Sequence, residues 1–171
     1  FFHSIGCGMD RHLLIVACML TKQIIRAASG WLELGMPTDA LNEIKSLPKD
    51  QLSDKIVLEL RLAAEMSLEK WKDASETAQL LCKEAVDEPD FFLSAAFCLH
   101  ELGETDEARK WLLRGPDVLS EMAVFHYNMA CYLWTLGEKE RAHNHLAKAF
   151  EMDDSFKESA LHDKDLVGIE F

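Results

Sequence analysis

One repeat spacing constrains this chain more than any other feature, because short motifs recur in it every 34 residues. Leu-Gly pairs occur at Leu34-Gly35, Leu102-Gly103 and Leu136-Gly137, and the variant Leu68-Glu69 takes the remaining place in the series. An alanine follows five residues after each of these turns, at Ala40, Ala74, Ala108 and Ala142. A fixed period of this length indicates stacked helix pairs, since one pair cannot bury its apolar face alone. The spacing therefore predicts an all-α fold.

The repeat spacing also predicts how the chain is divided. Four 34-residue repeats cover residues 21–54, 55–88, 89–122 and 123–156. Each repeat carries apolar residues at helical spacing on both sides of its turn. Residues 1–20 precede the repeats as an extension, and residues 157–171 follow as a capping helix and tail. A closing helix is expected because the end of a repeat stack needs a polar cover.

Residues 1–20 do not fit the repeat pattern. The apolar run at residues 13–20 is too short to span a bilayer as a helix. Lys22 and Arg26 argue against a secretion signal ending at Ser29, which would also destroy the first repeat helix. Two interpretations remain: either Asp10 caps a helix that runs on to Leu34, or these residues are an extension of little structural meaning.

Composition narrows the class of partner. The chain has 30 acidic and 18 basic residues and a net charge of -12, which disfavours nucleic acid and anionic membrane surfaces. The same charge favours basic partners. The five cysteines include no CxxC pair, so neither a disulfide framework nor a zinc site is expected. A reducing, cytoplasmic location fits this cysteine usage best.

Histidines are the main candidates for chemistry, and their spacing does not support a catalytic or metal site. His143 and His145 are two residues apart and therefore point to different sides of a helix. His100 and His126 have no carboxylate or cysteine at ligand spacing. No nucleophile motif or phosphate-binding glycine loop is found in the sequence. We therefore expect no enzyme activity, no cofactor and no metal.

The repeat pattern resembles the tetratricopeptide repeat. That family places a small residue at the eighth position of each repeat, glycine at the fifteenth and alanine at the twentieth. Glu65, Gly115 and Asp154 depart from the family pattern. The resemblance implies a right-handed superhelical solenoid of antiparallel helix pairs, with the first helix of each pair lining a concave groove. It also implies repeat-packing roles for seven alanines: Ala28, Ala40, Ala74, Ala96, Ala108, Ala130 and Ala142.

The resemblance further implies which residues line the groove. The basic clamp with which some family members hold the carboxylate terminus of heat-shock chaperones is absent, because its positions are mostly apolar or acidic here. The groove is instead expected to be apolar and aromatic with scattered carboxylates. Its candidate peptide-binding residues are Ile25, Leu32, Glu59, Met66, Leu93, Phe97, His100, Tyr127, Cys131 and Trp134.

These observations favour a non-catalytic adaptor that binds an apolar or amphipathic, preferably basic, helix or peptide in the groove. One alternative is a small holding chaperone for apolar clients. Another is a structural oligomerisation unit, with a homodimer formed through the N-terminal apolar segment. A third alternative concerns the groove itself, which the run at residues 13–20 can fill in the same chain or in a second copy.

Overall fold

The computed structural model describes the backbone of residues 11–170 and the side chains of residues 19–170. Asp10, the predicted helix cap, lies outside the described residues. Within residues 11–170 the chain is helical and contains no strand, which confirms the all-α prediction. Its α-helices are α1 Arg11–Glu33, α2 Pro37–Lys45, α3 Lys55–Ser67, α4 Trp71–Glu84, α5 Pro89–Glu101, α6 Thr105–Leu113, α7 Ala123–Thr135, α8 Lys139–Met152 and α9 Phe156–His162.

The helix starts follow the repeat spacing. Helices α3, α5 and α7 begin at residues 55, 89 and 123, and α2, α4, α6 and α8 begin at 37, 71, 105 and 139. Proline is the first residue of α2 and of α5, where its missing N–H leaves no helical bond unmade. The connections after α2 and α6 each contain a short 3₁₀ helix, at Lys49–Gln51 and Asp117–Glu121.

Helix α1 is continuous over 23 residues, so residues 11–20 extend the first repeat helix rather than standing apart from it. The backbone is thus helical from residue 11, while the predicted cap at Asp10 lies outside the described residues. Met19 and Leu20 are exposed on this extension. The side chains of residues 13–18, which form most of the apolar run, lie outside the description, as does the predicted homodimer contact.

The turn between the helices of each pair has one geometry. Gly35, Gly103 and Gly137 have positive φ angles of 70°, 80° and 81°, and Glu69 adopts the same region with φ 54°. The N–H after each of these residues donates to a carbonyl five residues earlier, as in Met36 to Trp31 and Glu138 to Leu133. This 6→1 bond satisfies a helix-terminal carbonyl and needs a left-handed residue before it. The Leu-Gly motif is therefore a helix-ending signal.

The repeat-packing alanines are all fully buried. Each of the seven predicted positions has 0 % exposure. A methyl side chain at these points allows close helix approach, which a larger residue would prevent. One core feature was not predicted: Glu65 is 3 % exposed, and the Thr77 hydroxyl donates to its Oε2 at 2.7 Å. The hydrogen bond offsets part of the cost of burying a carboxylate.

The contacts divide the chain into two compact units, with unit 1 ending at Ala64 and unit 2 beginning at Glu65. In unit 1, α1 packs on α2, and the Thr21 hydroxyl donates to Gln51 Oε1 at 2.7 Å. In unit 2, each helix from α4 to α8 packs on the next, and α9 packs on α8. No helix among the described residues has the length and apolar character needed to cross a bilayer.

Candidate interaction surface on helices α5 and α7

The predicted groove residues are divided between the two units. Ile25, Leu32 and Glu59 belong to unit 1 and are partly exposed, and Glu59 faces Lys55 at 3.7 Å along α3. The other seven belong to unit 2. Met66 lies near the end of α3, and the remaining six lie on two helices: Leu93, Phe97 and His100 on α5, and Tyr127, Cys131 and Trp134 on α7.

A segment from the end of the chain packs on α7 at these predicted positions. We call residues 163–167 the C-terminal strap; its central residues form the 3₁₀ helix Lys164–Leu166, which packs on α7. The Tyr127 hydroxyl donates to Asp163 Oδ2 at 2.7 Å, and Cys131 Sγ lies 3.8 Å from the same oxygen. Tyr127 also stacks on Phe156 of α9, with ring centroids 4.7 Å apart.

Asp163 has a second role within the strap. Its Oδ1 accepts the backbone N–H of Asp165 at 2.9 Å, which caps the 3₁₀ helix. One carboxylate thus holds the strap's own backbone with one oxygen and α7 with the other. Because both oxygens are engaged, the strap conformation and its attachment to α7 depend on the same side chain.

His100 connects the strap to α5 and α6. Its Nε2 lies 3.0 Å from Asp165 Oδ2 and its Nδ1 lies 2.9 Å from the Thr105 hydroxyl. A carboxylate only accepts, so Nε2 carries the proton and, in the neutral ring, Nδ1 accepts from Thr105. A carboxylate, an imidazole and a hydroxyl in this order also form the catalytic triad of some hydrolases. Thr105, however, is only 5 % exposed at the start of α6. The hydroxyl is therefore engaged in a buried contact and closed to a substrate.

Three further contacts complete the strap. Lys164 Nζ lies 2.8 and 3.0 Å from the carboxylate oxygens of Glu101. Trp134 Nε1 donates to the backbone carbonyl of Val167 at 3.2 Å. Leu166 is 2 % exposed and is the strap's apolar anchor. The strap therefore binds through two carboxylates, one ammonium group, one backbone carbonyl and one buried leucine.

Burial under the strap changes the acid–base behaviour of α7. Desolvation raises the pKa of the Tyr127 phenol well above its usual range, and the hydrogen bond to Asp163 adds to the shift. Desolvation likewise raises the pKa of the Cys131 thiol, helped by the charges of Asp163 and Asp165. Both groups therefore stay protonated at neutral pH. A protonated thiol is a poor nucleophile, so Cys131 is expected to react slowly while the strap covers it.

Helix α5 has a different surface from α7. Leu93 and Phe97 are only partly buried, and the hydrogen bonds of the strap go to other residues. Phe97 meets Trp71 of α4 edge to face, with centroids 5.6 Å apart. Asp90 is exposed at the start of the same helix. The open part of the predicted surface in unit 2 is thus aromatic and apolar with a carboxylate nearby.

The strap was not predicted from the sequence. The repeat pattern predicts a capping helix and tail over residues 157–171; in the structure α9 spans Phe156–His162, and a 3₁₀ turn follows at Lys164–Leu166. Occupation of the groove by residues 13–20, in the same chain or in a second copy, stays a prediction; the strap on α7 is a different segment, residues 163–167. The Asp-Lys-Asp-Leu motif is a capping signal in the sequence. The residues on other helices that this motif contacts lie at least 32 residues away in the sequence, so no short sequence pattern reveals the contacts.

A histidine pair between α7 and α8 was also not predicted. His126 Nδ1 lies 2.9 Å from His145 Nδ1, and His126 Nε2 lies 3.0 Å from the Ser120 carbonyl. Since a carbonyl only accepts, His126 is protonated at Nε2, and His145 therefore donates from Nδ1. Desolvation lowers both pKa values, that of His145 to about 4, with Arg141 and Lys148 also disfavouring its charged form.

No three His, Cys, Asp or Glu side chains within the described residues converge as metal ligands. The paired histidines have cationic Lys148 nearby, which disfavours a metal ion. Comparison of the sequence with protein-family models and with curated proteins found no match to either.

Proposed function

We propose that the chain is a non-catalytic interaction module of the tetratricopeptide type, which binds an apolar or amphipathic peptide on the α5 side of unit 2. The observation that carries the proposal is a contrast between the two helices. Leu93 and Phe97 of α5 are partly exposed, whereas Tyr127 and Cys131 of α7 are buried. Partly exposed aromatic and aliphatic side chains beside a polar rim are typical of the centre of a peptide-binding surface.

The α7 half of the surface supports the same proposal by its chemistry. Tyr127 and Trp134 of α7, together with His100 of α5, each give a directed hydrogen bond to the strap, a short segment built around one 3₁₀ turn. Directed hydrogen bonds to the side chains and backbone of a bound segment give specificity to an interface. The surface is thus suited to a peptide ligand rather than to a small molecule in a closed cavity.

A photo-crosslinking experiment tests this function. Benzoylphenylalanine, an aromatic analogue that reacts with adjacent C–H bonds on illumination, replaces Phe97 in the full chain expressed in its native host. The matched control places it at Leu113, an apolar residue of α6 that is 62 % exposed. We expect one or a few defined protein adducts from position 97 and none of the same mass from position 113.

Two results would count against the proposal. Identical adducts from both positions would mean that capture follows exposure alone. The absence of any protein adduct at position 97, with the variant folded by circular dichroism, would remove the α5 surface as a binding site. A broad series of unrelated apolar adducts would instead favour the holding-chaperone function.

Self-association is a second candidate function, favoured by one observation. Met19 and Leu20 on the α1 extension are 58 % and 56 % exposed, which is unusual for neighbouring large apolar residues on a helix. If this extension pairs two copies, the mass of the wild type in solution will be twice that of Met19→Ser/Leu20→Ser. Equal monomeric masses would exclude this contact.

A further inference from the structure

The strap shows in its own contacts what the α5–α7 surface accepts. Its carboxylates at positions 163 and 165 face hydrogen-bond donors, Tyr127 and His100, and the intervening Lys164 faces Glu101. Leu166 follows as a buried side chain. The order is acid, base, acid, leucine, and each group meets a complementary group. Charge and hydrogen-bond complementarity of this kind give specificity to an interface.

The strap is held at a surface position that another chain can reach. Lys164 is 70 % exposed at its side chain, and Asp165 is 23 % exposed. Val167, whose carbonyl accepts from Trp134, is 77 % exposed. Exposed ion pairs contribute little to stability, so release of the strap loses mainly the Leu166 burial and the Tyr127 and His100 bonds.

From this complementarity we infer that the C-terminal strap is an intramolecular ligand, and that the partner of this surface carries the same pattern. The partner is a peptide segment with carboxylates at positions i and i+2, a cation at i+1 and a leucine at i+3. It displaces the strap and takes over its contacts to Tyr127, His100, Glu101 and Trp134. This inference rests on the proposed function and defines the chemistry of the ligand, replacing a general preference for basic peptides.

Competition of this kind has a calculable consequence. A tethered segment is present at a high effective concentration, commonly millimolar for short connections. The apparent affinity for a free ligand falls by the fraction of molecules in which the site is open. Weakening the strap should therefore tighten binding of the free peptide without any change in the surface itself.

The test uses the full chain and a labelled peptide with the sequence of residues 160–168. Wild type is compared with Asp163→Asn/Asp165→Asn, which keeps the shape of the strap but removes both charges. We expect the strap-weakened chain to bind the peptide at least about tenfold more tightly than wild type, as measured by fluorescence anisotropy. A peptide with asparagine at both aspartate positions should bind at least about tenfold more weakly to the weakened chain.

Surface variants in the strap-weakened chain show where the peptide binds. Tyr127→Phe removes the hydroxyl that faces Asp163 and should weaken peptide binding several-fold, about what one charge-assisted hydrogen bond contributes. Tyr132→Phe is the matched control, because the Tyr132 hydroxyl is buried and has no hydrogen-bond partner within the described residues. It should leave peptide affinity unchanged.

Several outcomes would overturn the inference. These are equal affinity of wild type and the weakened chain, equal binding of the acidic and asparagine peptides, or equal effects of the two tyrosine variants. Dimers of wild type that grow with concentration and are lost in the weakened chain would show that the occupant is a second copy's strap instead. Circular dichroism verifies the fold of each variant. The two experiments are independent, because here the peptide is supplied directly. Failure of peptide binding overturns this inference, whereas failure of crosslinking at position 97 counts against the proposed function.

Discussion

Helices α5 and α7 hold the same place in successive repeats but have different surroundings. Both begin a repeat, at Pro89 and Ala123, and both carry a buried alanine at the eighth position of the repeat. In α7 nearly every side chain from Phe125 to Leu133 is buried, whereas α5 leaves Phe91, Leu93 and Phe97 partly open. The C-terminal strap and α9 account for the extra burial of Tyr127 and Cys131.

This difference shows that a repeat position does not by itself determine whether a side chain is available. Leu93 and Tyr127 hold the same position in successive repeats. Of these two, Tyr127 is covered by the C-terminal strap, whereas Leu93 stays partly exposed. The last repeat of an array has no further pair to cover it, so the residues after that repeat must form the cover. In this chain the covering residues make directed hydrogen bonds to α7 as well as an apolar contact.

The largest expected effect comes from removing the apolar anchor of the strap. Leu166→Ala should lower the free energy of unfolding by ~2–4 kcal/mol, because a buried leucine is replaced by a cavity. Leu161→Ala, at a 65 % exposed site on α9, should change it by about 0.5 kcal/mol or less. Urea denaturation measures both. Equal effects of the two variants would mean that the strap is not anchored on α7.

Acid should destabilise the packing of α7 on α8 through the histidine pair. The folded-state pKa of His145 is about 4, below the usual value of 6.5. The unfolded state therefore binds more protons between these values, so stability is constant above about pH 6.5 and falls as pH drops toward 4. The loss is at most about 3 kcal/mol, and solvent screening reduces it because the ring is only partly buried.

Urea midpoints recorded across pH 7 to 4 test this effect. His145→Gln should flatten the dependence, whereas His143→Gln, at an exposed site on the same helix, should leave it unchanged. An unaltered pH profile in His145→Gln would remove the pair as the cause. Such a result would assign the acid sensitivity to the carboxylates.

The two buried tyrosines of α7 should respond differently to loss of their hydroxyls. Tyr127→Phe breaks the bond to Asp163 and should cost ~1–2 kcal/mol. Tyr132→Phe should be neutral or stabilising within ~1 kcal/mol, since its buried hydroxyl lacks a partner in the described part of the chain. Thermal or urea unfolding compares the variants. A larger loss in Tyr132→Phe would contradict the assigned contacts.

The smallest effect concerns the turns that end the first helix of each pair. Glu69 occupies the left-handed region that glycine occupies after α1, α5 and α7. Glu69→Gly should therefore stabilise the fold by ~0.5–1 kcal/mol, as strain in the folded state is relieved. Gly103→Ala should destabilise it by ~1 kcal/mol, because space is open there and only the backbone angle resists. The same sign for both variants would refute this account of the motif.

The helices themselves were largely predictable from the sequence. The 34-residue spacing locates the starts of α3, α5 and α7, and the Leu-Gly motif marks where helices end. Both signals are local, since they depend on proline, glycine and apolar periodicity within a few residues. The buried alanines follow from the same register.

The contacts of the candidate surface were not predictable in this way. No local spacing joins His126 to His145, yet packing of α7 on α8 brings their Nδ1 atoms to 2.9 Å. The sequence places Asp163 and Asp165 in a capping segment, but their partners on α5 and α7 depend on how the chain returns after α8. Such tertiary pairing leaves no periodic signal. The adaptor function and the repeat family stay predictions.

The claim that the strap covers α7 while α5 stays open is tested most directly by alkylation of Cys131. This thiol lies against Asp163 and is 5 % exposed, while Cys82 and Cys98 are buried elsewhere in unit 2. Native labelling with iodoacetamide, mapped by mass spectrometry, should leave all three unmodified in wild type. In Asp163→Asn/Asp165→Asn it should modify Cys131 but neither Cys82 nor Cys98. Equal, rapid labelling of Cys131 in both proteins would contradict the account.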